Sequence, residues 1–303
     1  MLEEFSISAR TGRMDLWFEE KADIASGCSL RIPIKRTIEK IRSKYQEIAL
    51  LETENFGRML VLDGIIMLTE FDEFAYHEMI VHVPLNTHMS PRRVLVVGGG
   101  DGGTVREILK HEGVEEVHLC EIDKMVVDIC MKHLPSLASG FDDSRVHIFY
   151  EDGAQFVKAH KAEYDVIIVD SSDPVGPATV LFQEEFYRDI HGALKDDGIV
   201  VSQCESIFFH LSMIEEMFEF LPMIFDLTGY YYVLVPTYPS GTIGFAFCSK
   251  RYHPLRDVDR SRIARIGPLK YYNFHTHYSS FCLPAFAGER LPAFSGKYSY
   301  QMP

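Results

Sequence analysis

The stretch Val94-Leu-Val-Val-Gly-Gly-Gly-Asp-Gly-Gly103 constrains this chain more than any other. Its four leading apolar residues read as a strand buried on both faces of a parallel sheet. Five glycines then enclose a single acid, Asp101, ahead of a helical pattern at 104–111. A glycine-lined turn from strand to helix admits a ligand against the backbone, because no Cβ stands in the way. Gly98, Gly100 and Gly103 satisfy the G-x-G-x-x-G spacing of nucleotide folds. Glu121, at the end of the next strand, stands where an acid that accepts from ribose hydroxyls belongs, with helix capping as the alternative. Asp101 argues against a dinucleotide, since a carboxylate inside the turn repels a pyrophosphate. It suits a ligand carrying positive charge, such as a sulfonium nucleoside with a free amine.

From residue 92 onward the pattern alternates. Strands are predicted at 94–97, 116–120, 146–150, 164–170 and 199–203, with helices at 103–111, 124–134, 153–159 and 183–194. This is the order of an α/β fold with a doubly wound parallel sheet. A helix at 211–220 comes next, then strands at 230–235 and 242–248 that predict a hairpin closing one sheet edge. Beyond residue 251 the chain reads as irregular, with a short helical stretch near 257–265. Ahead of the alternating region, residues 15–69 carry short β-like runs, and Asp63-Gly64 is a strong hairpin signal. The first fourteen residues are polar and read as frayed. Residues 70–89 change to a helical period that should end near Pro84 or Pro91. The expected division is an N-terminal β-strand domain over 1–70 and a Rossmann-like domain over 71–303, with 71–91 as the connecting helix.

Bulk properties narrow the partners. A net charge of −14 and a pI near 5.4 exclude a nucleic-acid ligand, which needs clustered Lys and Arg. No apolar run approaches a membrane span, and Met1-Leu-Glu-Glu-Phe5 lacks the basic and apolar regions of a secretion signal. The six cysteines form no C-x-x-C and sit mostly in apolar runs, as reduced core residues of a cytoplasmic protein do.

In open α/β sheets ligands lie beyond the carboxyl ends of the strands. The predicted strands lead in turn into Asp101, Glu121-Ile-Asp123, Glu151-Asp-Gly153, Asp170-Ser-Ser-Asp173 and Gln203-Cys-Glu205. Acids converging on one rim repel each other unless a cation or hydrogen-bond donors stand between them. Asp152 and Gly153 can read an adenine amino group or cap the helix that begins there. Asp170 leaves a buried strand for a loop stiffened by Pro174 and Pro177, as suits a catalytic position or a cover. His77-Glu78 with His82 nearly mimics H-E-x-x-H, but histidines five apart lie roughly 140° apart on a helix, so no metal site is expected.

Four of these motifs, Gly98–Gly103, Glu121–Asp123, Asp170–Pro177 and Pro236-Thr-Tyr-Pro-Ser-Gly241, resemble those of the spermidine synthase family of polyamine aminopropyltransferases. So do Trp17-Phe18, Tyr45-Gln46, Asp72-Glu-Phe-Ala-Tyr-His-Glu-Met79 and Tyr271-Tyr-Asn273, in the family's order, over about residues 15 to 288. The resemblance implies a methyltransferase-like Rossmann domain behind a small antiparallel β-domain, assembled as a homodimer or homotetramer. It implies decarboxylated S-adenosylmethionine as co-substrate, no further cofactor, and putrescine as the diamine that becomes spermidine, with methylthioadenosine released. By the same resemblance Gln46 and Glu121 hold the ribose, Asp152 and Gly153 the adenine, and Pro177 lines the nucleoside pocket. Asp101 and Asp170 hold the donor's ammonium. His77, Asp101 and the segment Asp170, Ser171, Ser172 and Asp173 line the polyamine channel, with Tyr76 and Tyr238 seating the acceptor amine.

Elementary considerations lead to the same chemistry. An amine of pKa near 10 is protonated at neutral pH and cannot attack. A carboxylate of raised pKa in a dry site can take that proton with help from a tyrosine, and Asp170 is the expected base with Tyr76 beside it. The second ammonium stays charged, so Asp173, with Glu205 as a further candidate, should grip it. Two other readings compete: an S-adenosylmethionine-dependent putrescine N-methyltransferase and a non-catalytic polyamine-binding protein. The first must place the donor's carboxylate near Asp101 and Asp170, and like charges near 4 Å cost roughly 4 kcal/mol each at an effective dielectric of 20.

Overall fold

The computed structural model describes residues 4–7, 14–21, 27–173, 176–291 and 294–296. The N-terminal strands β1 (Glu4–Ile7), β2 (Met14–Lys21), β3 (Ser29–Arg42), β4 (Glu47–Thr53), β5 (Arg58–Leu62) and β6 (Ile65–Thr69) pair in chain order as one antiparallel sheet. Asp63 and Gly64 both take positive φ, 49° and 87°, as a tight β5–β6 hairpin requires. Two features differ from expectation. Residues 4–7 are a strand rather than a frayed end, because they find a partner in β2. β3 is a single strand of 14 residues rather than a short run, and register shifts at Ile34/Arg36 and Thr37/Glu39 let its outer half stay paired with a solvated face.

The second sheet holds five parallel strands: β7 (Arg93–Gly98), β8 (Glu116–Cys120), β9 (Val146–Phe149), β10 (Tyr164–Asp170) and β11 (Leu194–Gln203), in the order β11-β10-β7-β8-β9. The hairpin β12 (Leu227–Leu234) and β13 (Thr242–Ser249) docks antiparallel through β13 onto β11, and β14 (Ser295–Gly296) pairs with β12. The helices are α1 (Glu73–Thr87), α2 (Gly103–Ile108), α3 (Lys124–His133), α4 (Gly153–Ala159), α5 (Glu184–Ala193), α6 (Leu211–Ile224), α7 (Arg260–Arg265), α8 (Phe274–Ser279) and α9 (Ala285–Gly288). Alternate residues of β7 serve opposite layers. Val94 and Val96 join the core with α1 and α2, whereas Leu95 and Val97 join the core with α4, α5 and α6. The N-terminal sheet packs Ile48, Leu50, Leu60 and Leu68 onto Val126, Ile129 and Cys130 of α3. The fold is thus the doubly wound sheet behind an antiparallel β-domain that the sequence implies.

Pro84 does not end α1, which continues to Thr87. Pro84 leaves the Ile80 carbonyl without its helical donor, while further along the side chains of Asn86 and Thr87 donate to the carbonyls of His82 and Val83 at 2.9 and 2.7 Å. Glu78 is spent on docking the C-terminal segment, accepting from the N–H groups of Lys270, Tyr271 and Tyr272. His82 bonds Glu107 and His111, so the near H-E-x-x-H motif is split among separate partners. None of the six cysteines is joined in a disulfide, and four of them are buried. Among the described residues no helix is long and apolar enough to cross a membrane.

Strand order reverses between β7 and β10, opening a crevice above their carboxyl ends. The register pairs Gly98 with Asp170, bringing the glycine turn alongside the acid that ends β10.

Candidate active site

Asp170 is held from three sides. Its backbone carbonyl accepts from Gly99 N at 2.8 Å. A Cβ on Gly98, whose φ is 83°, would meet that carbonyl oxygen at 2.2 Å, so this close approach requires glycine. On the side chain, Tyr76 of α1 donates to Oδ1 at 2.7 Å and Thr104 of α2 donates to Oδ2 at 2.6 Å. Burial, followed by the charge on Asp101, raises the pKa of Asp170, against the two hydroxyls that lower it. Tyr76 is buried and its own pKa is pushed well above 10, so it remains a donor to the carboxylate.

Asp101 has the opposite environment. Burial raises its pKa, but the His77 ring at 3.3 Å and the Gly103 N–H at 2.7 Å outweigh that and hold it below the ordinary carboxylate range. His77 is buried, which disfavours its charge, yet Asp101 and Glu73 together raise its pKa well above 6.5. Glu73 accepts from His77 Nδ1 at 2.7 Å and from Arg106 at 2.8 and 3.1 Å, and its pKa falls to about 2 despite burial. A Cβ on Gly103 would strike the His77 ring at 2.3 Å, so the ring packs directly beneath the turn. His77, at 2% exposure, therefore sits behind Asp101 rather than on an open channel wall. One atom each of His77, Asp101 and Asp170 lies within 4.8 Å of the others, a separation that suits an ammonium between the two acids. A second His–Asp–Asp group, His88, Asp165 and Asp197, has similar spacing. There Ser90 N donates to His88 Nδ1, which leaves the ring proton on Nε2 and no lone pair for a metal.

Glu121 follows β8 and is buried, its Oε1 accepting from Asp123 N at 2.8 Å. Burial raises its pKa to about 7 against that N–H. Gln46, just ahead of β4, donates to Asp123 Oδ2 at 3.0 Å, and Ser43 Oγ donates to the same oxygen at 2.6 Å. The small sheet thus carries Gln46 to the rim beside Glu121. Asp152 caps α4, with Oδ1 accepting from Gln155 N at 3.0 Å, so the capping alternative is realised, and the residue is exposed. Gly153 lies against Val97, where a Cβ would come within 2.5 Å. Pro177 belongs to the 3-10 turn Gly176–Phe182, but its side chain, like residues 174–175, lies outside the described residues.

Across Asp170 lies a second acidic group. Asp173 is raised well above the carboxylate range by burial and then by the facing Glu205. Glu205 is buried at a φ of 54°, a strained value for a non-glycine residue, and pairs with His210 at 2.9 Å. Its carbonyl accepts from Tyr230 OH at 2.7 Å, which anchors the strained turn from the core. Glu20, from β2, is also felt at Asp173; it is buried, accepts from Ile66 N at 2.7 Å and is raised to about 7 by burial. The buried hydroxyl of Ser171 and the amide oxygen of Gln203 have no hydrogen-bond partner among the described residues, as groups awaiting a ligand do. Ser172 is half-buried beside them. Tyr238 donates to Met67 O at 2.7 Å, leaving its oxygen free to accept.

Sequence reasoning missed Glu20, Thr104 and Glu73. Glu73 was signalled by its position four residues before His77 on a helix. Glu20 sits in an unremarkable Glu-Glu-Lys strand end, and only the closure of β2 over the crevice gives it meaning.

Comparison with known proteins is consistent with this geometry. Residues 73–260 match the spermine/spermidine synthase domain and residues 16–70 the spermidine synthase tetramerisation domain. A polyamine aminopropyltransferase of Leptospira biflexa is 50% identical over 275 residues, covering 90% of this chain and 97% of that protein. A spermidine synthase of Dictyostelium discoideum is 44% identical over 280 residues, with 91% and 97% covered. A crystal structure of spermidine synthase in complex with the transition-state analogue AdoDATO superimposes with a TM-score of 0.88 at 39% identity, covering 95% of this chain and 97% of that one. The spermidine synthase of Thermotoga maritima gives 0.87 at 38% identity over the same shares. The chain belongs to the spermine/spermidine synthase family.

Proposed function

We propose that this chain is an aminopropyltransferase that moves the aminopropyl group of decarboxylated S-adenosylmethionine to putrescine, giving spermidine and methylthioadenosine. The observation that carries the reading is the pair Asp101 and Asp170: adjacent acids whose surroundings drive their pKa values in opposite directions. Asp101 stays charged and, with Asp170, receives the donor's ammonium. The names of the curated relatives and the bound analogue of the solved relative favour this reaction over N-methylation. A donor carboxylate would also face both acids.

Glu121 and Gln46 take the ribose, Asp152 and Gly153 the adenine, and Pro177 lines the nucleoside pocket. The attacking amine lies between Asp170, Tyr76 and Tyr238. Asp170 takes its proton; the nitrogen lone pair forms the new C–N bond as the C–S pair returns to sulfur, leaving a neutral thioether. The sulfonium is already an activated leaving group, so the displacement needs no resident cofactor. The far ammonium sits among Asp173, Glu205 and Glu20, near Ser171 and Ser172, which sets acceptor length. His77 supports the polyamine site through Asp101.

We place the boundary between the β-strand domain and the catalytic domain at residues 70/71, with 71–91 as connecting helix; the end of β6 at Thr69 and the start of α1 at Glu73 support it. The match of residues 16–70 to a tetramerisation domain supports a homo-oligomer, dimer or tetramer, to be checked by light scattering. Small-molecule substrates and cysteines without disulfides fit a cytoplasmic enzyme.

The test offers each donor separately with putrescine. Spermidine and methylthioadenosine from the decarboxylated donor, lost in Asp170→Asn, are expected. N-methylputrescine from the ordinary donor would overturn the assignment.

A further inference from the structure

We propose that Thr104 is a positioning residue for this transfer: its hydroxyl, donated to Asp170 Oδ2, holds the base's carboxylate in registry with the glycine turn. The inference rests on the reading of Asp170 as base. Thr104 is fully buried and is the first side chain after the turn, on α2, while Asp170 ends a strand 66 residues away. At 2.6 Å the contact is a short, charge-assisted hydrogen bond. Tyr76 already takes Oδ1, so the two hydroxyls, from α1 and α2, fix the carboxylate at both oxygens. Gly99 N fixes the backbone of the same residue from the same turn. The loop expected to carry the donor and the base expected to deprotonate the acceptor therefore share one rigid unit.

The bond has a chemical consequence as well. Donation to Oδ2 stabilises the ionised carboxylate and so opposes burial and the Asp101 charge, which push the base toward protonation. Thr104 offsets part of that shift and keeps the base ionised at lower pH. Its removal leaves a carboxylate that titrates higher and whose Oδ2 is free to swing.

Thr104→Val keeps the shape and removes the hydroxyl. The profile of kcat/KM for putrescine against pH should have its acid limb displaced upward by about one unit, with roughly tenfold loss below the limb and convergence toward the parent at high pH. Thr104→Ser should restore the parent limb. Methylthioadenosine binding and the thermal midpoint, measured on both variants, verify folding. A Val variant whose limb stays in place, or whose rate falls equally at every pH without rescue by Ser, overturns the inference while leaving the base assignment intact. An Asp170→Asn variant that stays active would instead remove the base on which the inference rests.

Discussion

Asp101 and Asp170 differ by their neighbours, not by their chemistry. Asp101 faces a histidine whose charge is favoured by Asp101 itself and by Glu73 behind it, and it accepts a backbone N–H. Asp170 faces two hydroxyls and the charge of Asp101. On the proposed mechanism the first binds an ammonium and the second accepts a proton. Asp101→Asn removes a charge that only the decarboxylated donor can use. Its kcat/KM for that donor should fall roughly a hundredfold, the scale of a lost charged hydrogen bond. Preference over ordinary S-adenosylmethionine should narrow at the same time. Competition between the two donors measures both, and an unchanged preference would show that Asp101 does not read the donor's charge.

At the scale of elements, the site is a junction between α1 and the turn leading into α2. Glu73, Tyr76 and His77, spaced i, i+3 and i+4, share one face of the first turns of α1, and each meets a residue of the glycine turn, α2 or β10. The absence of a Cβ at Gly103 lets the helix and the turn approach so closely. Gly103→Ala drives a methyl into the His77 ring, which is wedged between two carboxylates. A loss of about 1–3 kcal/mol is expected from such overpacking. Methylthioadenosine affinity should drop with it as the turn moves. Denaturant unfolding and nucleoside titration report the two effects, and an alanine variant with parental values in both would mean that the ring can yield.

Over the whole molecule, the excess of acid makes stability depend on pH in two opposed ways. Glu73 has its pKa depressed to about 2, so its contribution is present above the unfolded value near 4.5 and is lost as pH falls toward 2. Glu20 and Glu121 are raised to about 7, so each favours the fold below about 4.5 and loses that advantage as pH rises through 7, on the order of 3 kcal/mol apiece. The ligand-free protein should accordingly melt at lower temperature near pH 8 than near pH 5.5. On the proposed placement of the far ammonium, spermidine needs Glu20 and Asp173 ionised and should raise the midpoint more at the higher pH. Thermal scans with and without spermidine test this, and equal shifts at both pH values would remove Glu20 from the polyamine site. Glu20→Gln should raise the ligand-free midpoint near pH 8 and shrink the spermidine effect.

The local features were legible in advance. A run of four apolar residues before a glycine turn, strand ends marked by acids, and the Asp-Gly hairpin depend on period and turn chemistry, which act over a few residues. They sufficed for the doubly wound sheet, the crevice and most of the rim, and the motif resemblance supplied roles for Gln46, Tyr238 and Pro177. The strand at 4–7 and the outer half of β3 were not legible, because each depends on pairing with another strand. The placement of His77 behind Asp101, the arrival of Glu20 beside Asp173, and the bond from Thr104 to Asp170 were equally hidden. The sequence by itself determined which acids end which strands. Only the tertiary structure decided which of them is held ionised and which is pushed toward protonation, because that depends on burial and on neighbours that strand register and helix packing bring from distant parts of the chain.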